Sequence, residues 1–128
     1  MKAFLRDTPR VFNVGIDNDI LLKDCGSIKL ENNEQISIST YDGLEYEVVR
    51  KSWGFYAAPS LNSRLNNLGL RAVIVKTTIE KFFIFFVESG QEDNFYSYIV
   101  DQKYSIVSWI DNDASLKNLE DKLLESKR

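Results

Sequence analysis

The sequence predicts a single α+β domain over residues 1–128, with a mostly antiparallel sheet of about six strands and two to three helices packed on it. Three observations lead there. Period-two runs flank the pair Asp42-Gly43, which is the pattern of an antiparallel hairpin. The unbroken apolar run Phe82-Phe83-Ile84-Phe85-Phe86-Val87 fits a strand covered on both faces. Ser89-Gly90-Gln91-Glu92 and the leucines after Asp113 mark helices able to close over a sheet. Two prolines and six glycines in 128 residues leave little room for a disordered linker, so one core is expected.

In chain order, Arg10 to Val14 reads as an edge strand, with Pro9 where a missing N–H does no harm. Asp17-Asn18-Asp19 lacks the Gly and the distal Glu of a calcium loop and reads as a turn. Ser27 to Leu30 and Gln35 to Thr40 are joined by the polar Glu31-Asn32-Asn33-Glu34, which suggests a hairpin. Asp42-Gly43 then suits a two-residue type I′ turn. On its second strand Leu44, Tyr46, Val48 and Arg50 are expected inward, and Glu45, Glu47 and Lys51 outward.

Ser60 as N-cap, Leu61, Leu65 and Leu68 at helical spacing, and Gly69 beyond them predict a helix of about two turns. Arg71 to Thr77 and Phe82 to Glu88 follow as strands, the second expected at the centre of the sheet. A capping box of Ser89 and Glu92 starts a helix from Gln91 to about Val100. Tyr104 to Ile110 favours a strand, with a helix burying Ile106, Val107 and Ile110 as the alternative. Asp113 or Ser115 caps a last helix with Leu116, Leu119, Leu123 and Leu124 inward, fraying at Ser126-Lys127-Arg128.

Composition removes several chemistries. Without histidine there is no Ser-His-Asp or Cys-His pair, no imidazole ligand and no neutral-pH proton shuttle. The single Cys25 excludes an intramolecular disulfide and a thiolate zinc cage within one chain, and fits a reducing compartment. No metal or cofactor is expected. Met1 to Arg10 lacks the apolar run of a signal peptide, and no segment offers the roughly 18 apolar residues of a membrane span. A cytoplasmic location without membrane insertion is therefore the default. Neither a GxxxxGK[ST] nor a GxGxxG motif is present, so NTPase and Rossmann readings fail. The carboxylates Glu45, Glu47 and Glu88 sit where exposed strand faces explain them, and catalysis is not expected.

Charge is unevenly distributed. Val48 to Ile79 holds Arg50, Lys51, Arg64, Arg71 and Lys76 and no acid, whereas the rest of the chain carries 11 basic and 19 acidic residues. Such a window suits an anion. Arg50, Arg64 and Arg71 supply forked donors, Ser60 stands where a helix would begin, and Trp53 and Tyr56 can stack on a ring. The competing explanation is that each arginine pairs with a carboxylate or covers apolar surface with its stem. A pI near 5.0 disfavours a long nucleic acid and favours a ligand of mononucleotide size.

The stretch Arg50-Lys51-Ser52-Trp53-Gly54-Phe55-Tyr56-Ala57-Ala58-Pro59-Ser60-Leu61-Asn62-Ser63-Arg64-Leu65, continuing to Gly69-Leu70-Arg71, resembles short bacterial proteins of cell-surface polysaccharide synthesis. That resemblance implies a cytosolic bacterial protein acting beside sugar-nucleotide or glycan enzymes, and it carries no catalytic residues. The resulting expectation is a non-catalytic accessory protein that binds a small anion such as a phosphate, sugar nucleotide or acidic sugar. The alternatives are a module docking an acidic protein partner and a small histidine-free, metal-independent enzyme. A homodimer through the edge near Arg10 to Val14 is a further possibility.

Overall fold

Antiparallel pairing organises all eight strands of this α+β fold, which the computed structural model describes for residues 1–126. Three helices complete it. The expected fraying at Lys127 and Arg128 lies outside the described residues. The chain divides into two compact units, the first of Met1–Ser37 and Glu47–Ala58, the second of Ile38–Tyr46 and everything from Pro59.

In the first unit, β1 (Lys2–Val14) pairs with β2 (Ile20–Lys29). Both strands are longer than expected, and β2 pairs with β1, not with the segment after Asn33. Their ladder runs from Lys2↔Lys29 to Leu5↔Gly26 and resumes at Arg10↔Asp24. Arg6 to Pro9 bulge out between, so Pro9 costs no ladder bond. Asp24 clamps this bulge from both sides, accepting from Arg10 Nε at 2.9 Å and lying 3.6 Å from Arg6 Nε. Hydrogen bonding from Arg10 holds its carboxyl below the usual range. Residues Asp17 to Asp19 form the expected turn, with Asn18 N–H donating to Gly15 O at 3.1 Å.

β3 (Gln35–Ser39), β4 (Glu45–Lys51) and β5 (Gly54–Ala57) form a second sheet in that order. The hairpin at Asp42-Gly43 is present with a different turn. Gly43 N–H donates to Thr40 O, Thr40 N–H donates to Leu44 O, and among these residues only Gly43, at φ 103°, has a positive φ. This is a three-residue loop closed by a left-handed glycine, where type I′ would need Asp42 positive as well. The inward set of β4 also differs: Glu47 is buried and accepts from Gln35 Nε2 at 2.8 Å, and Val49 is buried beside it on the same face. A neighbouring strand's amide makes burial of that carboxylate tolerable.

The second unit is built on a sheet of order β7-β6-β8: β6 (Leu70–Lys76), β7 (Phe82–Glu88) and β8 (Ser105–Trp109). The strand reading of Tyr104 to Ile110 holds. The central strand is β6, and β7 is an edge, because β6 alternates two small apolar sets that can be covered on both sides. Leu70, Ala72 and Ile74 pack with Leu65, Ile110, Leu44, Tyr46, Leu61 and Leu116. Val73 and Val75 pack with Val87, Ile99, Phe85, Phe95, Tyr104, Ile106 and Trp109. Burial pushes the Tyr46 hydroxyl pKa up, its ring 4.4 Å from that of Phe86.

The helices are shorter or differently capped than the sequence suggests. α1 (Arg64–Asn67) is a single turn preceded by Ser63, although Ser60 Oγ still accepts the Arg64 N–H at 2.9 Å. α2 (Glu92–Gln102) begins after Gln91; Ser89 makes no side-chain cap, and Glu92 alone reaches back to the Gly90 N–H. α3 (Asp113–Ser126) is capped by Asn112, whose Oδ1 accepts the Ser115 N–H at 2.8 Å. Of its expected inward leucines only Leu116 reaches the core; Leu119, Leu123 and Leu124 are exposed. Among the described residues no helix is long and apolar enough to cross a membrane.

Candidate functional site

The candidate residues fall into both units. Arg50, Trp53 and Tyr56 belong to the first, and Ser60, Arg64 and Arg71 to the second.

In the second unit Arg71 is committed to its own surroundings. Its Nε donates to Asp111 Oδ2 at 2.7 Å, its Nη1 to Glu92 Oε2 at 3.5 Å, and its guanidinium lies 4.0 Å from the centre of the Trp109 ring. Hydrogen bonding from Asp111 raises its pKa further above the ordinary arginine value. Asp111 in turn receives Asn112 Nδ2 at 3.3 Å on Oδ1, and its backbone oxygen receives Asn66 Nδ2 at 3.1 Å. Two carboxylates and an aromatic face already engage this guanidinium, so the arginine organises the junction of β6, α2 and β8. Ser60 lies in the turn before α1 and Arg64 opens the helix, and the hydroxyl of Ser60 takes the very N–H an anion would need. One helical turn also aligns too few peptide dipoles to attract an ion.

The first unit presents a more open arrangement on the β4–β5 hairpin. Arg50 faces Phe55 and Lys51 faces Gly54 across the ladder, which leaves Ser52 and Trp53 as the turn. Main-chain bonds to the segment before β3 fix the base: Arg50 N–H donates to Glu34 O at 2.9 Å, and Asn33 N–H to Arg50 O at 2.8 Å. The Arg50 side chain folds back, Nη1 donating to Gly54 O at 3.1 Å with the guanidinium 5.4 Å from the Phe55 ring centre. Lys51 Nζ donates to Asn33 Oδ1 at 2.6 Å.

On the same hairpin the rings of Trp53 and Tyr56 lie 6.3 Å apart, inclined by only 21°. Trp53 is 69% exposed and Tyr56 44% exposed, and Phe55 is exposed as well. Open aromatic faces can stack a sugar or base while a phosphate or carboxylate meets the cations of the same hairpin, Lys51 on the Tyr56 side by strand alternation and Arg50 on the Phe55 side. Phe55 and Lys51, which the sequence already sets among the aromatics and cations able to meet a ring-bearing ligand, are placed opposite Arg50 and Gly54 by the cross-strand register.

Among the described residues no group of three His, Cys, Asp or Glu side chains gathers as a metal would require. Cys25 is exposed, its thiol 3.6 Å from Lys23 O. No family model, curated protein or solved structure matches this chain.

Proposed function

We propose that the protein is a non-catalytic binding module that takes a small ring-bearing anion, of the sugar phosphate or sugar nucleotide class, on the β4–β5 hairpin. The observation that carries this reading is the near-parallel, exposed pair Trp53 and Tyr56 on a hairpin that also carries Arg50 and Lys51. Trp53 and Tyr56 supply the stacking faces and Arg50 and Lys51 the charge. Arg71 serves the fold. Ser60 and Arg64 are not needed for this ligand contact. The resemblance of residues 50–71 to bacterial proteins of cell-surface polysaccharide synthesis supplies the setting: an accessory role beside glycan enzymes in the cytoplasm.

Tryptophan fluorescence of a Trp109→Phe variant tests it, since Trp53 is then the only reporter. Titration with nucleoside diphosphate sugars and sugar phosphates should quench the signal saturably. Removing the Tyr56 ring (Tyr56→Ala) should weaken binding about tenfold, in line with the loss of one stacking face. No response across the panel, or binding indifferent to Tyr56→Ala and Arg50→Ala, overturns the reading.

A further inference from the structure

The two edges of the second unit's sheet are unlike. β8 is five residues long, contains Ser105 and Ser108, and its pairing with β6 is broken by an irregularity between Ile74 and Val75. Short length, polar residues and a bulge are the usual devices that keep an edge from recruiting another strand. β7 is longer and unbroken, and its one polar residue, Glu88, stands at its very end. Its ladder with β6 runs through seven consecutive pairs from Leu70↔Glu88 to Lys76↔Phe82 without a shift, and Phe82 to Val87 holds no Pro, Gly or charge. Phe82, Phe83 and Ile84 stand exposed on both faces of the strand, Ile84 at 56%. No described strand pairs with its outer edge.

We infer that β7 pairs antiparallel with β7 of a second copy of this chain, joining two three-stranded sheets into one of six strands. A second copy is the occupant because the edge is self-complementary. Lys81 stands before the strand and Glu88 ends it, so antiparallel pairing about a two-fold axis sets unlike charges together at each end, whereas parallel pairing sets like beside like. The exposed Phe and Ile side chains gain aromatic and β-branched neighbours across the new ladder. One strand pair covers less than a standard interface, so the dimer is a reversible one that dilution dissociates.

Sedimentation velocity from about 1 to 200 µM, with hydrogen exchange at both ends of that range, tests the inference on the intact protein. Wild type should move from monomer to dimer mass, and those amides of Phe82–Glu88 that point away from β6 should exchange at least tenfold more slowly in the concentrated sample. Ile84→Lys places a lysine on the edge of each copy and should remain monomeric throughout, while Val107→Lys, on the exposed surface of β8, should dimerise like wild type. Monomer mass at every wild-type concentration overturns the inference. So does a dimer whose β7 amides exchange at the same rate in both samples, or one that Val107→Lys abolishes and Ile84→Lys leaves intact.

Discussion

Arg71 Nε donates to Oδ2 of Asp111 across 2.7 Å, and the carboxylate that accepts it is only 3% exposed. Forty residues separate the two along the chain. Removing the guanidinium strands a buried anion, whereas removing both charges does not. Arg71→Met should therefore destabilise by about 3 kcal/mol. Arg71→Met combined with Asp111→Leu should recover most of that loss, and urea unfolding of the single and double variants measures the difference.

Leu65 is fully buried in the cluster with Leu70, Ala72 and Ile110, whereas Leu123 on α3 is 54% exposed. Leu65→Ala should cost about 2–5 kcal/mol, the range for a core cavity. Leu123→Ala should cost less than about 1 kcal/mol, because a half-exposed side chain leaves no sealed void. Equal losses in chemical denaturation would contradict the placement of α3.

Glu92 accepts the Gly90 N–H and touches Arg71; its own N–H and that of Gly90, with Arg71 adding, hold its carboxyl below the usual glutamate range. A carboxyl whose folded pKa is depressed stabilises fully above its unfolded value of about 4.3 and loses that contribution as pH falls through the lower folded value. The melting temperature of wild type should exceed that of Glu92→Gln by a constant margin above about pH 5.5, and the margin should close on further acidification.

Gly26 faces Leu5 in the β1–β2 ladder, and a Cβ added there would sit 2.1 Å from the Phe4 carbonyl oxygen. Backbone is what it meets, so no side-chain rotation relieves the clash. Gly26→Ala should destabilise by on the order of 2 kcal/mol and speed amide exchange from Lys2 to Leu5. A control, Cys25→Ala next door at an exposed thiol, should leave both unchanged within about 0.5 kcal/mol.

Local chemistry made part of this structure legible. The alternation on either side of Asp42-Gly43, the β-branched run before Ile110 and the apolar spacing after Glu92 gave a hairpin, β8 and α2 because each signal lies within a dozen residues. What escaped is non-local. Phe82 to Val87 carries the composition of a central strand, yet its position depends on β6 taking both neighbours, and strand order is not written in any one strand. Glu47 looks solvent-facing by alternation and is buried because Gln35 stands ready to bond it. At the candidate site, the aromatics and cations are visible in the sequence, but the β4–β5 hairpin that brings Trp53 to Tyr56 is not, because no Asn-Gly or Asp-Gly pair marks the turn at Ser52-Trp53. The engagement of Arg71 by Glu92 and Asp111 is equally hidden, since nothing near residue 71 announces carboxylates so far along the chain.

Leu44 and Tyr46 pack into the cluster around Leu65 although they precede Glu47–Ala58, which belongs to the other unit. Proteolytic release of residues 59–126 would yield a fragment missing part of its own interior. During synthesis the ribosome must deliver Ile38–Tyr46 before the first unit is finished at Ala58, and that loop then waits for Leu65 and Leu70 to emerge. Maturation of the two halves is thus interleaved in time, and a pause between them would leave Leu44 and Tyr46 bare.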